Sequence, residues 1–247
     1  MERSRKTYIA QVSSMVRREL KEHSDYVLGQ LKSKDDFKRV NNDWLEAQVP
    51  KQDFVDLFVK IYQHTGKQFG KLVFNSIKKK KALILKSSHD FRVDIFADMA
   101  RAYITHKAGE KITGVRNSTI NEIRKVIDDE FDEGDSIPDM ARAMRDRFSQ
   151  INLNRGMTIA RTEVIAASNY GAMAGAEMTG IALQKEWIAT QDQETRPDHA
   201  IADGKVVNFD DSFKVGGDEM DFPGDTQYGA GAENVINCRC TVAFIPL

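Results

Sequence analysis

The sequence has 247 residues, of which 41% are hydrophobic and 30% charged, with a formal net charge of −1. That balance excludes a disordered chain and supplies enough apolar surface for one large domain or two small ones. No run of about 18 apolar residues occurs, which excludes a membrane-spanning helix of ordinary length. The basic start, residues 1–6, is followed by no apolar signal-type segment, so synthesis in a cytoplasm is expected.

The near-zero charge hides an asymmetry. Residues 1–90 hold 19 Lys and Arg against 11 Asp and Glu, whereas residues 91–247 hold 17 against 26. A basic first third suits contact with nucleic acid or with an acidic protein surface. Its basic residues are interleaved with acids, which suits attraction between the two ends of the chain equally well.

Taken in order, residues 4–32 carry Tyr8, Val12, Val16, Leu20, Val27 and Leu31 at helical spacing, a long amphipathic helix whose stripe needs a cover. Residues 34–50 give a short helix closed before Pro50. Phe54, Leu57, Phe58, Ile61, Tyr62, Phe69, Leu72, Val73 and Ile77 mark a second strong helix, with a bend or break at Gly66 and Gly70. Lys78, Lys79, Lys80 and Lys81 end it. They fit the negative end of the helix dipole as a solvated terminus, or a patch that contacts phosphates without sequence preference.

Phe91, Ile95, Phe96, Met99, Tyr103 and Ile104 predict a third helix that stops near Gly109. Thr119 with Glu122 reads as a capping box opening a helix that closes at the acidic turn 132–135. Ser136 and Pro138 start another, carrying Met140, Met144 and Phe148. Residues 154–179 form a further helix rich in Ala and Gly. Its small side chains allow another backbone close approach, expected to be that of the C-terminal module. Beyond Leu183 the pattern changes to short strands at 183–189, 205–209 and 240–245, with a long ordered loop over 210–235. The fold class is α+β: a helical region over 1–150, basic over 1–90, and a small loop-rich module over 151–247.

Rare residue types concentrate in that module. Cys238 and Cys240 are separated by one residue, so a bridge between them would close a strained loop, and reduced thiols are expected. Placed at i and i+2 on a strand, they share a face. With His199 they offer soft ligands for a structural zinc ion, the fourth coming from Asp192, Asp198 or Asp203. The alternative is that both cysteines are small buried residues and His199 bonds within its loop. Arg196 offers a fork of donors, with Asp192 as its expected partner. Asp192, Asp198, His199 and Asp203 also include the groups that metal-assisted hydrolysis of nucleic acid or cell wall would need, and a Cys–His pair could be nucleophilic. No glycine-rich phosphate loop, H-E-x-x-H or G-x-S-x-G accompanies them, so no catalytic residue is assigned.

Arg161-Thr162-Glu163, Asn169, Gly171, Trp187, Asp192, Thr195-Arg196, His199, Asp203-Gly204, Pro223-Gly224-Asp225 and Asn237-Cys238-Arg239-Cys240 occur in that order. Over roughly residues 140–247 this resembles the phage head morphogenesis proteins of the Mu F-like kind, the minor head proteins. The spacing from Asp192 to Thr195 is one residue longer than the D-x-R-T-R form of that pattern, with Gln193-Glu194 in place of a basic pair. The resemblance implies a non-catalytic virion protein inside the capsid near the portal, needed for head assembly or DNA delivery. Its implied partners are the portal protein, major capsid or scaffold proteins and, non-specifically, packaged DNA. It also implies that Arg161, Glu163, Trp187, Arg196, Asp203 and Arg239 maintain the module's shape, with Arg161 and Glu163 in an internal ion pair that anchors helix to module.

Overall fold

The computed structural model describes residues 2–82, 90–132 and 136–247. It is organised around one helix, α8 (Ile137–Glu177), 41 residues long and therefore about 60 Å from end to end. Ser136 caps it by accepting from the Asp139 backbone N–H, and Pro138 sits in the first turn, where a missing N–H costs nothing. Early in α8 the buried positions recur every four residues: Met140, Met144, Phe148, Asn152, Gly156 and Ala160. From Thr162 to Ala172 every residue is buried. A helix covered all round is expected to be mostly small-sided or apolar, and this stretch is, apart from Glu163, Asn169 and Tyr170.

Three layers cover it. The first, α1 (Glu2–Gln30), lays Val12, Val16, Leu20 and Val27 against α8. The second is formed by α4 (Lys51–Ile61), a π-helical turn (Tyr62–Gly66) and α5 (Lys67–Ala82). The third is the C-terminal module. Two short helices, α2 (Lys34–Lys38) and α3 (Asn42–Gln48), stand where the periodicity predicts one, because Ser33 and Asn41 each supply an N-cap. Two further helices complete this half: α7 (Gly109–Asp132), which also packs on α8, and α6 (Val93–His106), which packs mainly on α4 and the π turn.

Several expectations change. No break occurs at Gly66 and Gly70; the helix absorbs the site as one π turn and continues to Ala82. Thr119 caps nothing: it lies inside α7, and its hydroxyl bonds back to the Val115 carbonyl at 2.8 Å. Residues 133–135 of the acidic turn lie outside the described residues. The two helices expected over 136–148 and 154–179 are one, and residue 150 falls inside it. Gly156, which could have divided it, is instead where the Arg17 side chain crosses.

The small-residue face of α8 also meets a different neighbour. A methyl group built on Gly175 would lie 2.2 Å from the Gly70 carbonyl oxygen. The close approach is therefore to the π turn and α5 in the N-terminal half. The module also approaches α8, where a methyl group built on Gly224 would lie 3.0 Å from the Ala166 side chain.

In the module, β1 (Leu183–Ile188) is the centre of an antiparallel sheet ordered β2-β1-β5, with β2 spanning Val206–Asn208 and β5 Thr241–Pro246. Gln184 pairs with both Asn208 and Ile245. The stretch expected to be loop holds a hairpin, β3 (Phe213–Val215) and β4 (Asp218–Met220), turned by Gly216-Gly217 with φ of 59° and 89°. Positive φ at both central residues is what a tight two-residue hairpin needs. Helices α9 (Pro197–Ala202) and α10 (Ala232–Val235) complete the module. One hydrophobic cluster runs from Val12 of α1 to Val242 of β5, so helices and module share a core. Among the described residues no helix is long and apolar enough to cross a membrane.

Candidate functional site

Strand β1 alternates buried and half-buried residues, which sends Leu183, Lys185 and Trp187 inward. Trp187 is fully buried, edge-on to His199 on one side (centroids 5.6 Å apart) and to Phe213 on the other (5.4 Å). The turn at α9 brings His199 there: Ala200 N–H bonds the Arg196 carbonyl, and Pro197 opens the helix. Asp203, just after α9, closes the turn by accepting from the Ala189 N–H (2.8 Å) and the Gln191 side chain (2.7 Å).

Cys238, Cys240 and His199 come together. The His199 Nδ1 lies 3.4 Å from Cys240 Sγ and 3.7 Å from Cys238 Sγ, and all three residues are buried. The cysteines are not on a strand, as β5 begins at Thr241. They still share a side, because burial alternates inward, outward, inward over Cys238, Arg239 and Cys240. The neighbouring Cys238 and the imidazole hold the Cys240 thiol down at about 5, whereas Cys238 is pushed well above the ordinary thiol range.

Asp192 does not join them. Both its carboxylate oxygens take the fork of Arg239, at 2.5 and 2.6 Å, and Arg239 holds its pKa below the usual carboxylate range. Arg196 therefore lacks the partner expected for it and donates to the Ile236 carbonyl at 2.6 Å. The longer Asp192–Thr195 segment lets Asp192 close its own turn, accepting from the Glu194 N–H and the Thr195 hydroxyl. Asp198 is exposed, and Asp203 is committed to the α9 turn, so neither is a fourth ligand.

Arg161 and Glu163 part company. Arg161 is exposed, whereas Glu163 is buried beside Lys111 Nζ of α7 (3.1 Å) and the Tyr62 hydroxyl (3.5 Å). Two residues apart on a helix, the side chains leave in different directions. The internal ion pair is thus Lys111–Glu163, tying α8 to α7. Burial, opposed by Lys111 and Tyr62, raises the Glu163 carboxyl above its ordinary value.

Asn169 is a buried polar hub. Its Oδ1 accepts from Arg5 (2.9 Å) and Thr241 (3.1 Å), and its Nδ2 donates to the carbonyls of Pro223 (2.8 Å) and Cys240 (3.1 Å). All four bonding capacities of one amide are filled, joining α1, α8, the 223 loop and β5. Asp225 is a second hub, accepting from the Tyr103 hydroxyl and the backbones of Asp221 and Gln227. Burial holds Asp225 above the usual carboxylate range. Motif position singles out Glu163, Asn169 and Asp225 in the sequence; nothing local marks Tyr62 and Lys111 as partners of Glu163, Arg5 of Asn169, or Tyr103 of Asp225. Lys185 belongs to no motif and has no sequence signal at all: it is fully buried over the Phe213 ring, 3.8 Å from Asp221, and burial depresses its pKa.

Lys79 and Lys80 are exposed at the end of α5, while Lys78 lies over the Phe74 ring. The side chain of Lys81 lies outside the described residues. A cleft of about 610 Å³ opens between α7, α8 and the module, lined by Val115, Arg155, Thr162, Glu163, Val235 and Ile236 among others. None of His199, Cys238 and Cys240 lines it.

An α+β module packed on a buried helix, with Glu163, Asn169, Trp187 and Asp225 turned inward, is in keeping with the Mu F-like pattern. The chain belongs to this family, described as Phage Mu protein F like protein, through residues 121–243. Over 133 residues it is 32% identical to the minor head protein GP7 of Bacillus phage SPP1, covering 53% of this chain and 42% of that protein. It is 34% identical over 112 residues to the NAD(+)--arginine ADP-ribosyltransferase EFV of Enterococcus faecalis, 44% of this chain and 22% of that protein. A third relative is the uncharacterized protein YqbB of Bacillus subtilis, 25% identical over 130 residues, 51% of this chain and 42% of that protein. The chain spans less than half the length of each of these relatives. No solved structure matches it.

Proposed function

We propose that the chain is a phage minor head protein, housed inside the capsid near the portal and acting in head assembly or DNA delivery. The observation that carries this reading is its 32% identity to a minor head protein over 133 residues, beside the family match over residues 121–243. The geometry supports a structural role. The carboxylates of Asp192, Glu163, Asp203 and Asp225 are each engaged by partners within the fold, and a group held this way is a poor general base.

The partners proposed are the portal protein and the capsid or scaffold proteins. The exposed end of α5 touches packaged DNA through its phosphates. Catalysis is no part of this reading, although one relative carries a transferase name.

The test is co-expression with the portal protein of the same phage, followed by affinity capture, and immunodetection of the chain in purified heads. Capture with portal and presence in heads are expected. Heads that assemble and infect normally without the chain would overturn the proposal. Incubation of the purified chain with NAD+ and arginine-containing acceptors is expected to give no transfer; turnover would overturn the non-catalytic part.

A further inference from the structure

We infer that Cys238, Cys240 and His199 form a zinc site, with the fourth position filled by a donor other than the described side chains. The three donor atoms lie within 4.8 Å of one another, on residues that are all buried. A tetrahedral zinc with Zn–S of about 2.3 Å and Zn–N of about 2.0–2.1 Å has N···S edges of about 3.6 Å. The two N···S distances here are 3.4 and 3.7 Å. One cation on the Nδ1 lone pair thus reaches both sulfurs without moving the backbone.

Hydrogen bonding alone uses this geometry less well. The Nδ1 lone pair can accept one S–H, and two sulfurs crowd it. Which ring nitrogen carries the proton follows from the next residue out. Asn234 donates its amide N–H groups to Asp218 (2.7 Å) and to the Val215 carbonyl (3.4 Å), so its Oδ1 is the atom turned to His199 Nε2, at 3.4 Å. The proton therefore sits on Nε2 and the lone pair on Nδ1 faces the sulfurs. An amide oxygen fixing the far nitrogen of a ligating histidine is the usual support of such a site.

Among the described residues no fourth His, Cys, Asp or Glu joins the group. The ion would tie α9 to the segment entering β5, across a module whose sheets are short. This inference stands apart from the virion role: metal content can be read whatever the chain docks onto.

The experiment uses the full chain, purified under reductant without chelator, with zinc measured by elemental analysis. It is then emptied and reloaded with Co²⁺. About one equivalent of zinc is expected, and the cobalt form is expected to show thiolate-to-metal charge transfer and strong visible bands of tetrahedral coordination. Asn234→Ala, with both thiols retained, is expected to weaken zinc binding about 10–100-fold. Asp192→Asn is expected to leave it unchanged. Cys240→Ser is expected to reduce the charge-transfer band to that of a single thiolate; where that variant does not fold, the wild-type cobalt spectrum and Asn234→Ala decide. A folded chain with less than stoichiometric zinc and two freely titrating thiols, or a cobalt form without thiolate bands, would overturn the assignment.

Discussion

Gly171 and Gly66 approach so closely that a methyl group on Gly171 would lie 2.1 Å from the Gly66 carbonyl oxygen. The obstacle is backbone inside a helical segment, which cannot swing aside. Gly171→Ala and Gly175→Ala are each expected to destabilise by at least about 1–3 kcal/mol, the usual range for overpacking. Gly114→Ala is the control. It lies within α7 with nothing within 4 Å of the added carbon, and it is expected to gain about 0.5–1 kcal/mol from lower backbone entropy in the unfolded chain. Urea unfolding of the three variants measures all of this. Equal stability of Gly171→Ala and the parent would show that the helices do not touch there.

Replacing Asn169 removes four hydrogen bonds at once. Asn169→Ala strands two carbonyls and a buried guanidinium, and at about 1–3 kcal/mol for each unsatisfied group the loss is expected to exceed about 3 kcal/mol. Asn169→Asp keeps the shape but turns an acceptor toward the Pro223 and Cys240 carbonyls. It is expected to cost more than a change of shape alone explains. Melting of both variants is the check, and a mild Asn169→Asp would mean that these carbonyls find other donors.

The Glu163 carboxyl gives a pH dependence with a definite sign. Because burial raises its folded value above the unfolded one, the folded state holds the proton more tightly. Its contribution is full below the unfolded value of about 4.3 and is lost as pH rises through the folded value. Asp225 acts in the same direction. Glu163→Gln is expected to flatten the fall in melting temperature over that window; an unchanged slope would refute its role. Lys111→Met leaves a buried carboxylate unpaired and is expected to cost about 3–5 kcal/mol at neutral pH.

Binding of DNA at the end of α5 makes a salt-dependent claim. Changing Lys78, Lys79 and Lys80 to Gln is expected to weaken duplex binding for all sequences alike. It should also reduce the slope of log K against log salt by about 0.9 for each phosphate that is no longer neutralised. Filter binding across a salt series measures it, and an unaltered slope would take these lysines out of the interface.

Helices α1, α4, α6 and the two ends of α8 are legible in the sequence because each follows from spacing and caps within a few residues. Strands β1 and β5 are legible from short apolar runs bounded by turn residues, whereas Cys238 and Cys240 share a side although the strand expected to carry them begins only at Thr241. The hairpin at Phe213–Met220 carries its signal, Gly216-Gly217, inside a stretch so rich in turn residues that the short strands do not stand out. What cannot be read is pairing at a distance. Lys111–Glu163 and Tyr103–Asp225 lie 52 and 122 residues apart, and no local pattern joins their members. Asp192 illustrates the limit at shorter range. Arg196 is four residues away and Arg239 is 47, yet the fold gives the carboxylate to Arg239.

The bond from Arg5 to Thr241 spans 236 residues of chain. At a synthesis rate of about 5–20 residues per second, α1 leaves the ribosome on the order of tens of seconds before β5 exists. Its stripe of Val12, Val16 and Leu20 also waits for α8, so the nascent protein carries a bare apolar surface through most of its translation. Late closure of this kind raises the separation of contacting residues, the property with which folding rates fall and exposure to aggregation grows.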